Sequence, residues 1–148
     1  MKIDEMRKLL EKSLAPKRFK HSVAVYETAL KMAKSHKLDL EQTEKIAVSA
    51  LLHDCGREVP TKESVAKARE LGIALDNVEI NQPILLHAKL GVYYATHKYG
   101  VTDEEILDGI SFHTTGKANM STLAMVVFLA DMIEPGRDFP GVDELRKL

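Results

Sequence analysis

The sequence has no tryptophan and a single cysteine, Cys55. One thiol cannot close an intrachain disulfide, which removes any disulfide framework and fits a reducing, cytoplasmic setting. It also leaves no thiolate cluster for a Cys-rich structural zinc site. An excess of one charge is missing too: 21 Lys and Arg stand against 22 Asp and Glu, a formal net charge of −1. That balance gives no global attraction to nucleic acid or an anionic membrane. No apolar run approaches the roughly 18–20 residues that span a bilayer. The opening MKIDEMRKLLEK lacks the apolar stretch of a signal peptide. Low-complexity runs and internal repeats are absent, and glycine and proline are sparse. These exclusions leave one soluble domain over residues 1–148, long enough to bury a continuous core.

What is present is helical periodicity. Ile3, Met6, Leu9, Leu10 and Leu14 form one stripe, and Pro16 separates it from a second helix whose apolar face holds Val25, Ala29 and Met32. A third helix is expected over about 41–52. Thr61 opens another that reaches Gly72, and Pro83 and Gly100 bracket the next. Asp103 and Ser121 are expected caps, Gly116 and Pro135 stops, and VDELRKL begins a last helix. No strand-length alternation and no hairpin signal occurs, so the fold class is all-α, a bundle of about seven or eight short helices.

The informative residues are polar ones in apolar faces. His21 shares the stripe of Val25 and Met32, His53 and Asp54 close an apolar helix, and His87 follows Pro-Ile-Leu-Leu. His113 extends the series Ile106, Ile110, and Asp131 interrupts AMVVFLADMI. A buried ionised carboxylate costs several kcal/mol unless an opposite charge compensates it. Asp131 has no nearby cation in sequence before Arg137, so a cation shared with imidazoles would serve; an ion pair with Arg137 or a capping role is the simpler alternative. A lone histidine on such a face is more often a hydrogen-bonded core residue. Four of the six histidines fall there together, one beside an aspartate, while His36 and His97 sit in charged helix ends. Imidazoles with carboxylates suit iron, manganese, cobalt or zinc, in a site open to water. Cys55, next to Asp54, is expected to point away.

The order His21, His53-Asp54, distant Asp131 resembles the HD-domain superfamily of metal-dependent phosphohydrolases. KRFKHSVAV, ALLHDCGRE, HAKLGVYYA, SFHTTGKANMS and FLADMIEPGRDFPGVDEL are similar to the bacterial YqeK family within it, over about residues 16–146. That resemblance implies symmetrical hydrolysis of diadenosine tetraphosphate to two ADP by metal-activated water. It implies iron ligands at His21, His53, Asp54 and Asp131, and nucleotide-phosphate contacts at Arg18, His87, His113, Thr114 and Arg137. His87 and His113 would hold a second metal where one is present, or serve with Asp54 as catalytic groups, one of the histidines protonating the leaving oxygen. Two departures stand out. The family's HDxAK reads HDCGR here, so Arg57 replaces a lysine and would contact substrate phosphates with a fork in place of a point charge. Family members also continue through further helices after DELRKL. For the arginines, Lys17-Arg18-Lys20 could equally be a solvated helix start. Another nucleotide, such as an alarmone or a nucleoside monophosphate, or a sensor that binds metal and nucleotide without turnover, are the rival functions. Tyr93, Tyr94 and Phe139 could support a homodimer.

Overall fold

The structure is a computed structural model and describes residues 1–147. Among these residues it contains nine α-helices and no strand: α1 (Ile3–Ser13), α2 (Pro16–Ser35), α3 (Leu40–Leu52), α4 (Ser64–Glu70), α5 (Asn77–Asn81), α6 (Leu86–His97), α7 (Glu104–Ser111), α8 (Thr122–Ile133) and α9 (Val142–Lys147). None is long and apolar enough to cross a membrane.

Local chemistry sets most of the boundaries. Pro16 is the first residue of α2, where its missing N–H costs nothing. Side-chain oxygens of Asp39, Asp103 and Ser121 accept backbone N–H groups at the starts of α3, α7 and α8. After α6 the chain turns through Gly100 at φ +73°. Two differences from the sequence reading are local as well. The segment entered at Thr61 begins as a 3-10 turn, Thr61–Glu63, before α4. Between α4 and α6 lies the additional short α5, opened by a reciprocal capping box of Asp76 and Glu79. It has too few residues for an apolar period to show.

Helices α2, α3, α7 and α8 form the central bundle, α2 and α7 each packing against both α3 and α8. Val25, Ile46, Leu51, Ile110, Leu123 and Val127 are fully buried within it, and Leu10 of α1 is buried in the same core. A smaller cluster of Ala68, Leu86 and Leu90 joins α4 to α6. Of the three aromatics named as interface candidates, two make contacts inside the chain: Tyr94 packs on both clusters, and Tyr93 meets Tyr94 edge to face and lies tilted against His97.

The turn after α3 touches α6 through backbone. Asp54 leads into a 3-10 turn, Cys55–Glu58, and Gly56 lies directly on α6. A Cβ at Gly56 would collide with the His87 carbonyl oxygen and stand 2.5 Å from the Gly91 nitrogen. Glycine is therefore required by close approach. Overpacking of this kind costs about 1–3 kcal/mol. Gly56→Ala is expected to lower unfolding free energy by about that amount in urea titration; an unchanged midpoint would show that α6 yields without resistance.

Candidate metal centre

Three histidines are oriented by one device. His53, His87 and His113 each direct Nδ1 to the carbonyl oxygen three residues earlier: Ala50 at 2.7 Å, Ile84, and Ile110 at 2.6 Å. A carbonyl only accepts, so Nδ1 carries the proton, and in the neutral ring Nε2 presents a lone pair. These carbonyls lie at or beside helix ends, where a backbone acceptor has a lone pair to spare for a side-chain donor. His53 caps α3, and His113 follows the end of α7 by two residues instead of lying within it.

All three Nε2 atoms, with that of His21 from the first turns of α2, converge. His21 and His53 approach at 3.3 Å and His87 and His113 at 3.0 Å, Nε2 to Nε2. Asp54 divides its carboxylate between the pairs. Oδ2 lies 3.7 Å from His21 and 3.5 Å from His53, while Oδ1 lies 3.3 Å from His113 and 3.6 Å from His87. From α8, Asp131 Oδ1 stands 2.9 Å from His21 and 3.6 Å from His53. Neutral imidazoles aiming lone pairs at one another repel unless a proton or cation lies between them. Three overlapping groups (His21, His53, Asp54; His53, His113, Asp131; Asp54, His87, His113) bring their donor atoms within 4.8 Å. The residues thus fit one divalent cation, and Asp54 is placed to be shared with a second. Cys55 is excluded as a ligand: its Sγ donates to the Gly91 carbonyl, and burial pushes its thiol pKa up.

Electrostatics follow from burial against charge. Burial favours protonated Asp54, but the imidazoles of His53, His113 and His87 hold it well below the usual range. Burial would lower His53; the Asp54 and Asp131 carboxylates override it and raise the pKa. Asp131 is opposed by burial and held well below normal by His21, His53 and Arg137. At His87 burial wins, and its pKa is pushed down to about 4.

Over the histidines lies a cavity of about 270 Å³, lined by Arg18, Arg57, Thr114, Arg137, Phe128 and Met132 above Asp54, His87, His113 and Asp131. Arg18 binds Asp54 Oδ2 at 3.1 Å, and Thr114 Oγ1 lies 3.2 Å from His87 Nε2. Arg57 Nε is buried without a hydrogen-bond partner, 3.9 Å from Asp54 Oδ1. Arg137 binds Asp131 through Nη2 to Oδ1 at 2.9 Å and through Nε to the main-chain carbonyl at 3.0 Å. The compensation of Asp131 is therefore double, by the local guanidinium and by imidazoles from other helices, where the sequence presented these as alternatives. His36 and His97 are exposed, as expected.

One residue escaped the sequence reading. Glu134 is only 5% exposed, and its Oε1 stands 3.7 Å from His21 Nδ1. It is the counterpart, for His21, of the carbonyls that face the other three rings. The available signal was an acid at the end of the α8 apolar run, immediately before Pro135.

The His87 shift gives a testable pH dependence in chelator-treated protein. Unfolded, His87 takes up a proton near 6.5; folded, only near 4. Between those values the unfolded state binds more protons, so acid destabilises the fold. A loss of about 3 kcal/mol from this group is expected as pH falls from 6.5 to 4. Urea titrations across that window should be flatter for His87→Gln than for wild type.

Comparison with known proteins identifies the family. A model of the HD domain matches residues 18–136. A protein of Halalkalibacterium halodurans named bis(5'-nucleosyl)-tetraphosphatase, symmetrical, is 38% identical over 138 residues, 93% of this chain and 72% of that protein. A Bacillus subtilis protein of the same name is 36% identical over 151 residues, covering all of this chain and 77% of the relative. Among solved structures, a "predicted HD superfamily hydrolase involved in NAD metabolism" from Clostridium acetobutylicum superposes with a TM-score of 0.87 at 38% identity, over 99% of this chain and 76% of that one. The matched stretch contains every imidazole and carboxylate that converges beneath the arginines, and the chain belongs to the HD-domain family.

Proposed function

We propose that this chain hydrolyses diadenosine tetraphosphate symmetrically, at the central phosphoanhydride, to two molecules of ADP. The observation that carries the reading is the ring of Arg18, Arg57 and Arg137 over the His/Asp cluster. The names and extent of the bacterial relatives support the substrate. Size agrees as well. The cavity, about 270 Å³, is below the roughly 300–1,000 Å³ that encloses a whole small ligand. It suits the phosphates at the middle of a long substrate, with the nucleosides outside.

His21, His53, Asp54 and Asp131 would hold the cation, for which iron is our first choice by resemblance to the YqeK family. When bound, it supplies the positive charge that polarises the phosphoanhydride and activates water. The protein's own groups do the rest. Arg18, Arg57 and Arg137 offer forked donors to phosphate oxygens whose charge would otherwise repel a nucleophile. Arg57 Nε, buried without a partner, gains one when a phosphate enters. Thr114 adds a hydroxyl at the rim. His87 or His113 would give the proton to the leaving oxygen, and burial, which pushes the His87 pKa down to about 4, weighs against His87 in that role near pH 7. If Asp54, His87 and His113 hold a second cation, neither ring can donate, and the metal-to-protein ratio separates the two roles.

The test is iron-loaded protein assayed against a nucleotide panel by chromatography. The panel should include NAD, because the Clostridium acetobutylicum structure is described as belonging to NAD metabolism. ADP should be the sole product from diadenosine tetraphosphate. Asp54→Ala is expected to abolish turnover and bound iron while circular dichroism stays helical, and Arg57→Ala to raise KM about tenfold. Release of AMP with ATP, or turnover of another nucleotide with diadenosine tetraphosphate untouched, would refute the assignment.

A further inference from the structure

The turn that follows α8 carries two groups of the site and holds them with few bonds of its own. Glu134 faces His21, and Arg137 reaches back to Asp131. Pro135 and Gly136 lie between them, so α8 ends at Ile133 with its last carbonyls beyond the reach of helical N–H groups. Local bonds are few: the Gly136 N–H donates to Glu134 Oε2 at 3.0 Å, and the Arg137 N–H to the Glu134 carbonyl at 2.9 Å.

The missing donors come from α9. Arg146 donates from Nε to the Ile133 carbonyl at 2.8 Å, and from Nη2 to the carbonyls of Glu134 at 2.9 Å and Arg137 at 2.7 Å. Its Nη1 donates to Asp143 Oδ1 at 3.0 Å, one turn earlier on the same helix. One planar fork thereby spans both ends of the turn and is itself anchored on the far side. Lysine cannot copy this, because its donors radiate from a single atom.

We propose that Arg146 is a positioning residue for phosphate binding: it fixes the Glu134–Arg137 turn so that Arg137 stands at the mouth of the cavity. Arg146 does not line that cavity, and it reaches Arg137 only at the main-chain carbonyl, not at the guanidinium proposed to meet phosphate. The inference rests on the phosphate-binding reading above.

Binding of ADP to metal-loaded full chain, measured by calorimetry, tests it through a double-mutant cycle. Arg146→Ala and Arg137→Ala should each weaken ADP about tenfold, and the double variant should bind no worse than Arg137→Ala alone. Arg146→Lys should resemble Arg146→Ala. Asp143→Ala changes an exposed side chain and frees the anchor without altering the turn; it should weaken ADP about two- to threefold while the melting temperature stays near wild type. It keeps the question answerable if Arg146→Ala fails to fold. Wild-type affinity in Arg146→Lys and Asp143→Ala, or additive losses in the cycle, would overturn the proposal. Diadenosine tetraphosphate hydrolysis by wild type is measured in parallel. A wild type that binds ADP without cleaving the dinucleotide would remove the proposed reaction and leave the clamp standing.

Discussion

The site depends on one buried carboxylate serving two directions. Asp54 is almost completely withdrawn from water, yet its oxygens face different pairs of imidazoles, and two arginines approach from above. An isolated carboxylate in that position would protonate; surrounded by donors and positive charge it stays ionised. The same surroundings explain why the end of α3 tolerates so polar a dipeptide. Removing Asp54 leaves four imidazole nitrogens facing one another with Asp131 as the only converging carboxylate among the described residues.

Orientation of the rings costs little additional structure. At the ends of α3 and α7, and in the 3-10 turn before α6, a carbonyl with a lone pair to spare accepts a histidine N–H three residues later. The backbone acceptor is satisfied and the tautomer fixed by one bond. His21 lies inside a helix whose carbonyls are already used, and a side chain, Glu134, stands on its outer side instead. The distinction follows from where each histidine sits along its helix.

His21, His53, Asp54, His87, His113 and Asp131 were legible because each is polar where its helix buries an apolar stripe, and the fold class followed from the same periodicity. Their convergence was not, since it depends on which helix ends share one end of the bundle. Asp131 with Arg137 was legible only as an alternative, because the Pro135-Gly136 turn decides whether six residues of separation bring the charges together. Glu134 and Arg146 carry no periodic signal: one lies just beyond its helix and the other on a six-residue helix that looks ordinary. Similarly, α5 is held by its capping box, a signal too short to distinguish from a loop.

The backbone contact between Gly56 and α6 works as a gauge. His53 and Asp54 are fixed to α3, whereas His87 travels with α6, and the thickness of the layer between them is set by two glycines with no side chain to adjust it. The width of the gap between the two histidine pairs is therefore written in main-chain atoms. A chain that carried a larger residue at this position would have to widen that gap, and with it the distance over which one carboxylate must bridge.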